Sequence, residues 1–504
     1  MAESNNIKSV AIIGAGAAGA VTAAAFSAEQ YFEKITVFER RECAGGTWIY
    51  DQSPPHDLPI RPGSLPPDSD PPLEIPNNLP KITSPNEQER FTKTPIYSSL
   101  TTNVPSIAMS FSDKPFPYGP FVPHYVPKQY IESYFSSHKT DALLNLNTTV
   151  EDVSLIRSAE TKRESWTLTL RKHDPVLNAD IWWQDHFDAV ILANGHYSIP
   201  FIPEVKGLDQ YLNLFPGRVV HSKTYRTPTL YENKRILVIG NSASGHDVTA
   251  ELVSTAKHPV FQSRRSKSPW DGPEPPPGIA WKPVISEFLP SGRIVFDDDS
   301  YLDDIDTIIY CTGYKASFPF WNSRNNGRDL WDYKKNKLIK NYLHTFFQDF
   351  ETLAIVGIPR TLTFRSFEYQ AIALARLYSG RQSVNLPPVE DQERWEKDRE
   401  KRTAKEGTKY HDIEWDHNET LDWLGNLYEI AGLGLLTGEG MVPPIFSKEM
   451  KWALENLKKY PEPGNGGESD KNLDFTRRLR ENDNEDDSWV MVRREGQKDS
   501  LWFL

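Results

Sequence analysis

Gly14, Gly16 and Gly19 fall in the spacing G-x-G-x-x-G, directly behind the apolar run Lys8 to Ile13 and at the head of the alanine-rich stretch Ala17 to Gln30. Glycine at these points keeps a turn tight, lets a pyrophosphate approach the backbone and lets a helix pack close to the preceding strand. The helix N-terminus then faces the phosphate charge. Ala15, Ala17 and Ala18 share that loop and first turn. Glu39 stands 25 residues past Gly14, at the end of the next apolar run, Ile35 to Phe38, and Arg40 follows it. A carboxylate there can accept hydrogen bonds from ribose hydroxyls, so this first unit fits a dinucleotide without a ribose phosphate.

The device recurs. Arg235 opens a second apolar run, RILVIG, that leads into Gly240-Asn241-Ser242-Ala243-Ser244-Gly245, with Ser242 where the middle glycine would stand. At 24 residues past Gly240 there is no acid, but Ser263-Arg264-Arg265-Ser266-Lys267. A carboxylate would repel a 2'-phosphate, whereas Arg264 and Arg265 can pair with one, which points to NADPH; the competing reading of this stretch is an ordinary basic surface loop. One unit for ribose hydroxyls and one for a ribose phosphate imply FAD and NADPH working together, with hydride passing from nicotinamide to flavin. The two cysteines, Cys43 and Cys311, form no C-x-x-C pair and read as small buried apolar side chains. With no dithiol to reduce, O2 is the natural electron acceptor. No metal-ligand cluster is read.

The elements that must position these residues follow from the pattern. Each unit is a strand, turn and helix followed later by an Asp, an apolar run and a polar-Gly pair: FDAVILANGHY around Asp188 and IDTIIYCTGYK around Asp306. This predicts a diverged internal duplication. Residues Asp51 to Thr94 are crowded with proline and predict a long surface excursion, while Leu353 to Gly357 predicts a strand before a helix in FEYQAIALARLYSG. The charged stretch Gln392 to Gly407 reads as a solvated helical face, and the polar stretch Pro461 to Asp487 as poorly ordered. A net charge of -12 over 504 residues, with no long basic run, argues against a nucleic-acid partner. No apolar run reaches the ~18 residues of a membrane span and no secretory signal opens the chain, so an intracellular, cytoplasmic protein without integral membrane contact is expected.

One further stretch makes the pattern specific. Phe215-Pro216-Gly217-Arg218-Val219-Val220-His221-Ser222-Lys223-Thr224-Tyr225 resembles the F-x-G-x-x-x-H-x-x-x-(Y/F) signature of flavin-containing monooxygenases. Gly45-Gly46-Thr47-Trp48, Leu100-Thr101-Thr102-Asn103, Cys311-Thr312-Gly313-Tyr314 and Phe367-Glu368-Tyr369-Gln370-Ala371 match the same family. The similarity spans Val10 to Tyr460 and is closest to the short, soluble yeast-type enzymes. The resemblance implies that NADPH reduces FAD, that O2 then gives a flavin hydroperoxide, and that a nucleophilic nitrogen or sulfur of a small molecule takes the distal oxygen. It implies that Asn103 stands by flavin and nicotinamide as the catalytic residue, with Thr102 against NADP+. It also implies cofactor contacts at Gly46, Thr47, Trp48, Val153, Ser242, Ser244, Asp247, Thr312 and Gln370. His221 and Tyr225 read as domain-positioning residues rather than acid and base.

The fold expected is α/β, with two Rossmann-like dinucleotide-binding domains. The FAD domain comprises residues 1–207 and 319–460, the NADPH domain is inserted at 208–318, and 461–504 form a polar tail. Substrate enters beside the flavin at the domain cleft. Other readings are a Baeyer-Villiger or amine N-hydroxylating oxygenase, a catalytically silent nucleotide-binding protein, and an NADPH oxidase. Self-association is left open.

Overall fold

In a computed structural model the described residues are 7–55, 58–157, 164–268, 271–415, 418–434, 436–459, 490–492 and 501–503. Ser9–Ile13 is an inner strand of a seven-stranded sheet. It pairs in parallel with Lys34–Phe38 on one side and Ala189–Leu192 on the other, with Leu353–Ile355 beyond. Side chains alternate across this strand: Val10 and Ile12 enter one core, Ala11 and Ile13 another. Burial on both faces accounts for the unbroken apolar runs of its strands.

The first core is helical. Ala17–Ala28 is buried continuously from Ala17 to Phe26 and packs against Phe364–Ser379, whose Ala371, Ala373 and Ala375 are fully buried. Alanine lets helix backbones approach closely and carries no helix penalty, which explains the composition of both. The second core lies beneath a four-stranded antiparallel sheet of Lys81–Thr83, Ala179–Phe187, Glu164–Asp174 and Thr148–Arg157. Trp166, Leu168 and Leu170 alternate inward from it. The charged helix Val389–Glu406 is largely exposed, as expected, but buries Gln392, Glu396, Arg399 and Thr403.

Residues between Val219 and Lys282, together with Thr307–Tyr310, form a separate five-stranded parallel sheet. Arg235–Ile239 is central, with Lys257–Ser263 and Thr307–Tyr310 beside it. The chain is thus an α/β protein with two Rossmann-like domains, the second inserted into a first that is completed by later strands. The repeat is atomic. Asp188 accepts from the Ser9 amide at 2.8 Å, and Asp306 from the Arg235 amide at 2.7 Å, each carboxylate tying the start of the strand that leads into its glycine turn.

Two expectations need correction. Cys311 is buried, but Cys43 is only half-buried, because it follows the first sheet's second strand into a surface loop. The proline-rich excursion is not purely peripheral: Arg41 is ion-paired with Asp51 at 2.8 Å, and Lys81–Thr83 joins the antiparallel sheet. The expected poor order of Pro461 to Asp487 lies outside the described residues. Farther along the tail, Val490–Val492 pairs antiparallel with Leu501–Phe503. No helix among the described residues is long and apolar enough to cross a membrane.

Candidate functional site

Both glycine turns are built alike. Gly14 has φ +109°, and a Cβ there would lie 2.6 Å from the Ala193 carbonyl oxygen; Gly240 has φ +110° and would meet the Cys311 carbonyl oxygen at 2.7 Å. Only glycine adopts that backbone beside a neighbouring strand without strain. The third glycines serve close packing, since a Cβ at Gly19 or Gly245 would strike the carbonyl oxygen of Gly14 or Gly240. Gly16 lies against Gly46, which brings the turn Gly46–Trp48 over the first loop, and the Gly45 amide donates to the Ala15 carbonyl at 2.9 Å. Ala17 and Ala18 are buried in the first helical turn.

Glu39 acts first on the protein itself: one carboxylate oxygen accepts the Ala15 amide and the other the Arg41 amide, both at 2.8 Å. These bonds fix the fingerprint loop, and each oxygen keeps a lone pair for a ribose hydroxyl. Gly14, Glu39, Arg40, Thr148 and Asn194 border a cavity of about 100 Å³. Arg40 donates to the carbonyls of Arg90 and Phe91 at 2.9 and 3.3 Å, and burial lowers its pKa. Asp70 borders the same cavity, where burial pushes its carboxyl up to about 6.

A much larger cleft, of about 1300 Å³, joins the two domains. Thr47, Trp48, Asn103 and Phe367 line one side; Gly240, Asn241, Ser242, Ser244 and Arg265 line the other, with Asp247 and Thr312. Asn103 is exposed within it. Its neighbour Thr102 is not a lining residue: it is buried, and its hydroxyl accepts the Val122 amide at 3.0 Å. Val153 is also away from the cleft, in the antiparallel sheet's core, with its amide donating to the Phe320 carbonyl at 2.7 Å; Thr148 to Val150 of the same strand border the smaller cavity. Gln370 is fully buried; it accepts from the Gly357 amide at 3.1 Å and donates to the Thr345 hydroxyl at 2.8 Å, thereby holding a loop rather than facing the cleft.

The two arginines part company. Arg264 stacks on Trp281 at 3.4 Å and is paired with buried Asp271 at 3.0 Å, while Arg265 lines the cleft. Asp271 also accepts from the Asn241 side chain and the Ser268 amide, both at 2.8 Å, and so organises the second loop from outside the fingerprint. Lys409, far downstream, lines the same cleft; burial lowers its pKa, and the Arg265 charge contributes.

His221 lies wholly inside the link between the domains, where its ring bonds the Gly313 carbonyl at 3.1 Å and accepts the Lys223 amide at 3.1 Å. Burial lowers its pKa to about 3, which keeps it neutral. Tyr225 donates to Glu251 at 2.7 Å. Neither borders the cleft. Arg226, which the sequence reading missed, donates to the carbonyls of Asp51, Thr94, Lys223 and Tyr225 from one buried guanidinium. Its position one residue past the aromatic of the signature was the only available signal.

The glycine cradles, the cavity at Glu39 and the basic wall at Arg265 fit a flavin dinucleotide and a phosphorylated nicotinamide dinucleotide. Comparison with known proteins agrees. The family profile described as flavin-binding monooxygenase-like matches residues 78–270 and 278–434, and an NAD(P)-binding Rossmann-like profile matches residues 12–65. Flavin-containing monooxygenase FMO GS-OX-like 9 of Arabidopsis thaliana is 31% identical over 395 residues, covering 75% of this chain and 77% of that protein. Flavin-containing monooxygenase iboF of Amanita muscaria is 29% identical over 442 residues, covering 76% and 80%. Among solved structures, the S-allyl-L-cysteine S-oxygenase of Allium sativum aligns with a TM-score of 0.71 at 26% identity, covering 94% of this chain and 98% of that one.

Proposed function

The chain belongs to the flavin-binding monooxygenase-like family, and from that premise we propose that it uses FAD and NADPH to place one oxygen atom of O2 on a soft sulfur or nitrogen of a small molecule. The observation that carries this reading is a single cleft bordered both by Thr47, Trp48 and Asn103 of the flavin part and by the second fingerprint loop. Two cofactors held by these loops meet in one space. We assign residues 1–207 and 319–460 to FAD and 208–318 to NADPH.

Bound there, the flavin supplies hydride acceptance from NADPH and activation of O2. The chain's own residues bind, orient and shield. Trp48 and Phe367 give the flavin side an apolar wall that excludes water, and the Asn103 amide would donate a hydrogen bond beside the reacting centre. Arg265 takes the 2'-phosphate, with Arg264 spent on fixing the loop. Of the acceptors, sulfur is favoured, because the similar Allium sativum protein is an S-allyl-L-cysteine S-oxygenase.

The test measures NADPH consumed, product formed and peroxide released with a thioether, a tertiary amine and a cyclic ketone as probes. About one sulfoxide per NADPH, with little peroxide, is expected. Peroxide in proportion to NADPH with every probe overturns the reading in favour of an oxidase, and an ester from the ketone reassigns the chemistry to Baeyer-Villiger oxygenation.

A further inference from the structure

The helix that follows the second fingerprint loop, Ala243–Leu252, carries Asp247 and Glu251 one turn apart, hence on one face. That face docks on the flavin part. Tyr97 donates to Asp247, Ser99 donates to Glu251, and Tyr225 of the link donates to the other Glu251 oxygen at 2.7 Å. A further contact comes from much later in the chain: the Lys459 ammonium lies 3.0 Å from the Asp247 carboxylate and donates to the Thr101 carbonyl at 3.2 Å. Thr101, Asp247 and Lys459 all line the large cleft, and Thr101 is two residues before Asn103.

We propose that Lys459 is a positioning residue that latches the Asn103 loop to the helix behind the second fingerprint, and so fixes the nicotinamide end of the cleft against the flavin end. The inference rests on the monooxygenase reading above. Three features support it. The side chains of Lys459 and Asp247 are 14% and 13% exposed, so their charge-assisted contact is largely withdrawn from solvent, unlike a surface pair that screening would erase. The inserted domain is joined to the rest through the chain segments before Val219 and after Tyr310, an arrangement that permits hinge motion unless other contacts oppose it. And Lys459 touches both sides of that hinge at once, through Thr101 on the flavin side and Asp247 on the nucleotide side. Hydride and oxygen transfer both depend on near-contact geometry, where a shift of about 1 Å can cost ~100-fold, so a latch beside Asn103 governs coupling rather than binding alone.

Lys459→Met keeps the apolar stem and removes the charge. In the full-length, cofactor-loaded protein it should raise peroxide released per NADPH about tenfold at saturating NADPH, with a smaller change in KM for NADPH. Amide hydrogen exchange should accelerate in 97–104 and 243–252. Lys459→Arg, which keeps a cationic donor for both the Asp247 carboxylate and the Thr101 carbonyl, should retain most of the coupling that Lys459→Met loses. A variant that only lowers Tm while keeping the wild-type product-to-NADPH ratio overturns the proposal, as does unchanged exchange in both segments. A wild type that oxidises NADPH but oxygenates no probe overturns the monooxygenase reading instead, and the exchange comparison still decides whether the latch exists.

Discussion

The two nucleotide-binding domains share a turn but not an environment. In each, the first glycine amide donates to the end of the second strand, Gly14 to the Phe38 carbonyl at 2.8 Å and Gly240 to the Ser263 carbonyl at 2.9 Å. In each, a threonine hydroxyl one turn into the helix returns to the backbone, Thr22 to Ala18 at 2.7 Å and Thr249 to Gly245 at 2.6 Å. The surroundings then diverge. The first helix is buried on every side, whereas the second buries Gly245, Val248, Thr249 and Leu252 and turns acids toward the flavin part. The same local geometry thus serves once as the middle of a core and once as a docking edge, and burial rather than turn chemistry sets what each can tolerate.

The largest expected effect follows from that difference. Gly14→Ala and Gly240→Ala each force a Cβ against a carbonyl at nearly equal distance on a left-handed backbone. The first strain is passed to a helix buried from Ala17 to Phe26 and should cost about 3 kcal/mol or more of stability and abolish flavin retention. The second should leave a folded, yellow protein with NADPH affinity lowered by ~100-fold or more. Flavin absorbance per chain, Tm and NADPH titration separate the two; equal loss of flavin in both variants would break the comparison.

The domains also differ in where the loop-organising carboxylate sits. Glu39 directly follows the second strand, while Asp271 performs the comparable service for Asn241, Arg264 and Ser268 from a later loop. Of the adjacent pair, this leaves Arg265 at the cleft. Arg265→Ala should therefore reduce the NADPH-over-NADH preference by about 10- to 100-fold, the loss of one charge-assisted contact to phosphate. Arg264→Ala should chiefly lower stability, by about 1–2 kcal/mol, because it leaves Asp271 buried without its cation. Steady-state kinetics with both nucleotides, set beside melting curves, would show whether the effects separate this way.

That split marks the limit of sequence reading. Both fingerprints, their flanking strands and the Asp188 and Asp306 repeats were legible because spacing along one element dictates them. Arg264 and Arg265, adjacent and chemically identical, were not distinguishable, since only the positions of Trp281 and Asp271 decide which one is consumed. Thr102 and Gln370 lie in family motifs, and the resemblance also implied Val153, yet all three sit behind the walls rather than on them, because a motif records position in the chain and not the direction of a side chain. The antiparallel sheet was overlooked although Trp166, Leu168 and Leu170 alternate plainly; its period of two was the missed signal. Lys459 had no local pattern at all, being joined to Asp247 only by the fold.

The last contrast concerns where each domain keeps its acids. Asp247 and Glu251 meet hydroxyl and ammonium partners at the docking face, but Glu368 lies fully buried in the flavin part, on the Phe364–Ser379 helix. It accepts the Ser112 amide at 2.9 Å and stands 3.6 Å from Arg365; Asp113 adds a like charge. Burial dominates and raises its pKa from 4.5 to about 7. A carboxyl raised on folding favours the folded state fully below its unfolded pKa and loses that contribution as pH rises through the folded value. Glu368 should therefore make stability decline between about pH 4.5 and 7, by on the order of 2–3 kcal/mol. Glu368→Gln preserves the shape and removes the proton equilibrium, so the variant should gain on the wild type steadily across that window. Asp70, raised to about 6 by burial, would leave a residual slope of the same sign in the variant. Denaturant unfolding at a series of pH values reads the difference directly, and parallel curves for wild type and variant would show that the Arg365 contact, not burial, governs this acid.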